Sequence, residues 1–146
     1  IGWNFIDMDV QIAAEQGLSI AEMVRRKGWP AFRAAERELL ARLAGNHDQV
    51  VGTGGGVVLD PANVAAMRFS GKVIWLRCRP ETIGCRMSAD PLTVDQRPAL
   101  TGKGVMAEIK SVLDEREPLY RAAADITVDT DEIDVARWCV EVARQI

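Results

Sequence analysis

The chain has 146 residues, 48% of them hydrophobic and 27% charged, with a net charge of −3 and a pI of about 5.2. That length and composition fit one domain with a real hydrophobic core. The acidic balance argues against a nucleic-acid partner, the single histidine excludes a multi-His metal site or a His-based triad, and no apolar run is long enough to cross a bilayer.

Ile1 opens the chain without an initiator Met and almost directly in an apolar run, which reads as a chain entered partway through. No signal-peptide pattern is present. "WNFIDMD" reads as a short strand ending in acid. "SIAEMVRRKG" reads as a helix: Ser19 and Glu22 have capping-box spacing, Ile20, Met23 and Val24 share a face, and Gly28 is a stop. "AFRAAERELLARLAG" is a stronger helix, with Phe32, Glu36, Leu39, Leu40 and Leu43 in step and Gly45 as its stop. His47 comes next in "GNHDQ" and reads as a solvated loop residue.

"QVVGTGGGVVL" is a strand running into three consecutive glycines. "DPANVAAMRFSG" is a helix capped by Asp60, with Pro61 at its first position. "GKVIWLRC" is a continuous apolar strand of the kind buried on both faces. "PETIGCRM" starts another helix, and "SADPLTVDQRPALTGKG" is a long polar loop suited to a lid. "VMAEIKSVLDERE" is a helix striped by Met106, Ile109 and Leu113, "ADITVDT" a strand, and "DEIDVARWCVEVARQI" the closing helix. Cys78, Cys85 and Cys139 have no metal-like spacing and read as reduced thiols in the cytoplasm. Strand–helix alternation throughout predicts an α/β domain with a parallel sheet covered on both faces. Ligands then bind beyond the carboxyl ends of the strands, which brings "DMD" and "GTGGG" together.

Several residues in that region have two readings each. Asp7 and Asp9, two apart at a strand end, point the same way and could hold Mg²⁺ and serve as a base; the plainer reading is a solvated turn. Arg33 and Glu36 are three apart on a helix, either a surface ion pair or an arginine preorganised for a carboxylate ligand. Arg97 and Arg116 are solvated cations or ligand contacts. Trp29, Trp75 and Trp138 read as packing residues, although Trp29 could line a pocket. The glycines Gly54, Gly55 and Gly56 form a tight strand-to-helix turn, or they bare the backbone to a ligand. They do not form a G-x-x-x-x-G-K-[ST] phosphate loop, since Val57, Val58 and Leu59 come next, and that pattern occurs nowhere in the chain.

The order of these motifs is more specific than any one of them. "FIDMD", "SIAEMV", "GWPAFRAAE", "VVGTGGGVVL", "RP" with "LTGKG", and "LDEREPLYRAAADITVDT" in succession resemble shikimate kinase over nearly the whole chain. "GWPAFR" and "RPALTGKG" are most similar to the second, AroL-type bacterial isoform. The resemblance implies a single P-loop nucleoside-monophosphate-kinase-like domain, a three-layer α/β/α fold with a parallel sheet and a mobile lid at about 87–104. It implies transfer of the γ-phosphoryl of ATP, with Mg²⁺, to the 3-hydroxyl of shikimate by a cytoplasmic monomer. Asp9 would then hold the hydroxyl and act as its base, and Asp7 would position the metal through water. Arg33 and Arg116 would clamp the shikimate carboxylate, and Gly54, Gly55 and Gly56 would offer backbone N–H groups to its ring. Arg97 would close onto the transferring phosphoryl, and Arg86 would contact the nucleotide. Val24 stands where many members of the family carry a phenylalanine against the substrate.

The family's phosphate loop precedes its "FIDMD" segment. Its expected place is therefore in roughly 20–35 residues before Ile1, as a strand, a loop and a helix. The alternatives are a non-catalytic shikimate-binding domain without that loop and a related small-metabolite kinase acting on a substrate such as gluconate. "DMD", "FR" and "RP" together favour shikimate over gluconate. A parallel sheet without its central strand would leave buried backbone groups unpaired at about 1–3 kcal/mol each, which favours a kinase over a domain that lacks the loop.

Overall fold

A computed structural model describes residues 2–90, 104–131 and 135–144. The elements run β1 (Asn4–Asp7), α1 (Met8–Gln16), α2 (Ile20–Leu43), β2 (Gln49–Gly52), a 3₁₀ turn (Val57–Leu59), α3 (Pro61–Ser70), β3 (Ile74–Arg77), α4 (Pro80–Ala89), α5 (Val105–Ala123), β4 (Ile126–Asp129) and α6 (Val135–Ala143). β1 pairs with β2 in parallel, from Asn4 opposite Gln49 to Asp7 opposite Gly52. β3 pairs with β4 in parallel, from Ile74 opposite Ile126 to Arg77 opposite Asp129. Each pair is joined through helices, because parallel neighbours need a long crossover. The expected parallel sheet is thus seen as two two-stranded sheets among the described residues.

Local chemistry sets the helix starts. Ser19 accepts from the Glu22 amide at 3.2 Å while the Glu22 carboxylate accepts from the Ser19 amide at 3.3 Å, so the capping box is present. Asp60 accepts from the Ala62 amide at 2.9 Å, with Pro61 at the first helical position. α4 starts at a proline but has no side-chain cap of its own. Asp131, just past β4, supplies it from a distance by accepting from the Arg79 amide and from Thr82 Oγ1 at 2.6 Å. The Thr82 hydroxyl is the main reason the Asp131 carboxyl is held below its ordinary range.

Three elements depart from expectation. The acid that ends β1 opens α1: Asp7 is its N-cap and Gly17, at φ 63°, its left-handed C-cap. Asp9 is therefore helical, and the strand alternation that was to align it with Asp7 does not apply. α5 runs through Pro118 to Ala123, so Arg116 sits inside a helix and not at its end. Proline removes one helical hydrogen bond, but Ala123, 2% exposed, and Tyr120 are held against the core beyond it. β3 is less buried than its apolar run suggests. Leu76 is 66% exposed, because β4 is its one strand partner among the described residues.

The core lies between α1, α2, the 3₁₀ turn and α5. Met8, Ile12, Leu39, Leu40, Val57 and Ala123 are all in it. Tyr120 and Trp29 pack at its edge. No described helix is long and apolar enough to cross a membrane. The expected lid at about 87–104 falls partly on the end of α4; its central part, 91–103 with Arg97, lies outside the described residues.

Gly28 divides α2 into the two helices that the sequence predicts. Its φ of 81° and ψ of 166° lie in a region almost closed to other residues. Gly28→Ala should therefore destabilise the fold by about 1–3 kcal/mol, read as a lower denaturant midpoint with an unchanged slope. An unchanged midpoint would show that the chain can bend there without glycine.

Candidate active site

β1 and β2 end side by side, and the segments beyond the two strands turn toward each other. Asp7 pairs with Gly52 at the last register position. Asp9 lies in the first turn of α1, and Gly54–Gly56 lie just past β2. The second half of α2 contributes Arg33 and Glu36, and α5 contributes Arg116 and Tyr120.

The geometry explains why the loop is bare. A Cβ on Gly54 would lie 3.4 Å from Asp9 Oδ1 and 3.7 Å from Glu36 Oε1. One on Gly55 would lie 2.9 Å from the Tyr120 hydroxyl. One on Gly56 would overlap the Arg33 guanidinium. Gly55 and Gly56 are bare because of the side chains packed beneath them, a hydroxyl and a guanidinium, whereas a Cβ on Gly54 would make only ordinary contact with Asp9 and Glu36. The absence of a Cβ thus lets functional side chains approach the backbone.

Glu36 is the deepest of these groups. It is 1% exposed and accepts from Arg33 Nη1 with both carboxylate oxygens at 2.9 Å. Burial pushes its carboxyl above the ordinary range, and Asp9 adds to that. Arg33, by ion pair and hydrogen bond, and Arg116, by charge alone, pull the other way. The bland reading of Arg33 and Glu36 as a surface pair does not hold. Arg33 also lies over two adjacent rings, its Cζ 5.3 Å from the Trp29 centroid and 5.1 Å from that of Phe32. Trp29 thus serves the site indirectly, by holding a cation. Arg116 carries a buried Nε with no hydrogen-bond partner among the described residues. A buried donor without an acceptor is costly, and an anionic ligand would satisfy it.

Asp7 and Arg86 have other attachments. Asp7 Oδ1 accepts from the amides of Asp9 and Val10 at 2.9 and 3.1 Å, so that oxygen caps α1. Its other oxygen makes neither of those bonds and is the hard donor that Mg²⁺ prefers. Arg86, on α4, donates to the Thr130 carbonyl at 2.6 Å and hydroxyl at 3.0 Å, beyond the end of β4. It faces the second strand pair and not the Asp9–Arg33 cluster. Among the described residues no group of three or more His, Cys, Asp or Glu side chains is gathered for a metal.

Two members of the cluster were not singled out as site residues from sequence. Glu36 was visible as the partner of Arg33, but its burial was not. Tyr120 lay beyond the expected end of its helix, and its place four residues after Arg116 on one helix face became visible only when α5 was found to run through Pro118.

Comparison with known proteins puts a family to this arrangement. The family model described as shikimate kinase matches residues 1–146. A shikimate kinase of Moorella thermoacetica is 41% identical over 146 residues, which are 100% of this chain and 79% of that protein. A shikimate kinase 2 of Dickeya chrysanthemi is 38% identical over 139 residues, 95% of this chain and 79% of that one. The solved shikimate kinase of Acinetobacter baumannii in complex with shikimate superposes with a TM-score of 0.88 at 26% identity, covering 99% of this chain and 80% of its own. That of Bacteroides thetaiotaomicron gives 0.80 at 30% identity, covering 98% and 80%. The two half-sheets and their helices therefore have the P-loop nucleoside-monophosphate-kinase-like fold. With the family matched along its whole length and the backbone shared, the chain belongs to the shikimate kinase family of ATP-dependent phosphotransferases.

Proposed function

We propose that the cluster beyond β1 and β2 binds shikimate and presents its 3-hydroxyl to the γ-phosphoryl of ATP. The observation that carries this reading is the convergence of the Asp9 carboxylate, the buried Arg33–Glu36 pair and Arg116 on the Gly54–Gly56 loop. A hydroxylated carboxylic acid needs those partners: guanidinium groups for its carboxylate, a carboxylate for its reacting hydroxyl, and a close backbone for its ring.

Asp9 holds the hydroxyl and takes its proton as the new oxygen–phosphorus bond forms and the bond from the γ-phosphorus to the bridging oxygen breaks, ADP leaving with that oxygen. Arg33 keeps Nη2 and Nε for the ligand, since Nη1 alone serves Glu36. Arg116 offers the donor that lacks a partner. Gly54, Gly55 and Gly56 supply backbone N–H groups. Phosphoryl transfer needs little covalent help, so positioning and charge do most of the work. Arg97 and the lid of about 87–104 close over the phosphoryl, and Arg86 contacts the nucleotide. Mg²⁺ neutralises phosphate charge when bound, and Asp7 would hold it through water. The chain spans 74–79% of the length of the first relatives it matches. The expected monomer remains part of this reading, and three free cysteines support a reducing cytoplasm.

Two variants of the full-length protein test the assignment. Asp9→Asn keeps the shape and removes the base, so kcat should fall by about 100-fold or more with an unchanged melting temperature. Turnover within a few fold of the parent would sink the Asp9 role. Arg33→Lys keeps the charge but loses the planar fork, so the KM for shikimate should rise about tenfold or more while the KM for ATP stays within about twofold. Equal losses for both substrates would make Arg33 a structural residue.

A further inference from the structure

Tyr120 is the member of the cluster to which the proposed function gives no task. Its hydroxyl donates to the Gly55 carbonyl at 2.7 Å, a contact between α5 and the loop across 65 positions of sequence. Its ring packs on Trp75 of β3, with centroids 5.8 Å apart and a tilt of 32°. Trp75 in turn lies under the Arg121 guanidinium at 5.9 Å. One side chain thus ties the end of the first strand pair to the second. The phenol is a donor at neutral pH in any case, and burial raises it further; Arg116 opposes that by charge and hydrogen bonding, with Arg33 adding charge. The fit is close on both sides, since a Cβ on Gly55 would stand 2.9 Å from the same hydroxyl.

We propose that Tyr120 is a positioning residue for the substrate cradle: its hydroxyl holds the Gly55 peptide, and so sets the Gly54–Gly56 amides at a fixed place relative to Arg116. This rests on the reading of that loop as the shikimate site. The physical reason is entropy. A loop of three glycines has more conformations to lose than any other, and a ligand meeting a loose loop must order it on binding. Tyr120 orders it beforehand. Arg116, four residues earlier on the same helix, moves with it. A Phe at position 120 would keep the ring on Trp75 and lose only the anchor.

Tyr120→Phe, Gly55→Ala and the double variant of the full-length protein test this. In Tyr120→Phe, hydrogen exchange of the Gly54–Gly56 amides should quicken while α2 stays protected. The KM for shikimate should rise about fivefold, the worth of one ordinary hydrogen bond. The KM for ATP should stay within about twofold, and the melting temperature should fall by only a few degrees. Gly55→Ala should act on the same contact from the other side. The double variant should be no worse than about twofold beyond the more affected single one, because the Cβ then meets no hydroxyl. Unchanged loop exchange in Tyr120→Phe overturns the proposal, as does an equal rise in both KM values or full additivity in the double variant. If Tyr120→Phe fails to fold, Gly55→Ala decides alone, and an unchanged KM for shikimate there overturns it. If the parent does not phosphorylate shikimate, the functional reading fails, and the exchange of the loop amides judges Tyr120 independently.

Discussion

The site depends on one buried ion pair. Glu36 has almost no contact with solvent, and a bare carboxylate there would be strongly unfavourable. Arg33 Nη1 bridges both its oxygens, and burial still outweighs Arg33's pull on the carboxyl. Such a pair adds little net stability, since desolvation offsets much of the attraction. Losing one partner, however, costs about 3–5 kcal/mol. The pair therefore makes sense as a geometric device. It fixes a guanidinium in one orientation, and the loop must pass over that guanidinium with no side chain at Gly56.

That placement imposes further constraints. Arg33 can sit there only if the second half of α2 starts at the correct angle, and the extended, positive-φ backbone of Gly28 sets that angle. Trp29 and Phe32, on the same turn, meet edge to face at 5.9 Å and both line the cation. The loop is held from the far side by Tyr120, and Asp9 and Glu36 lie beneath Gly54. Asp7 orients Asp9 by capping the helix on which Asp9 sits. Strained or costly features in this chain thus gather where four segments remote in sequence meet, as expected where function is built on strain.

How much of this the sequence reveals depends on whether the signal is local. Ser19 with Glu22, Asp60 with Pro61, and Gly28 are short-range signals, and the structure bears them out. α1 escaped because its nine residues show little apolar patterning, although Asp7 and Gly17 mark both its ends. Pro118 suggested a helix end because the local rule is strong; tertiary contacts of Ala123 and Tyr120 override it. Leu76 misled because a fully apolar strand implies neighbours on both sides, and one is described. Gly54–Gly56 stand out at once in the sequence, but the reason for them is not local. The space they leave is filled by Asp9, Tyr120 and Arg33, and no local pattern reports which side chains arrive from elsewhere.

The same distinction separates binding chemistry from fold. The strand pairs need only apolar residues and crossover helices, and many sequences meet that need. The cluster needs a specific residue at each of several remote positions, each constrained by the next: Glu36 needs Arg33, Arg33 needs Gly56 bare, and the Tyr120 hydroxyl needs Gly55 bare. A phosphoryl-transfer site gains from such interlocking, because its rate depends on holding groups still in a dry, charged pocket. Orientation fixed before the substrate arrives need not be supplied by binding energy afterwards. On this account the buried pair stabilises the protein little and the ready state of its site a great deal. That explains why a chain would keep two charges and three glycines where apolar packing would be more stable.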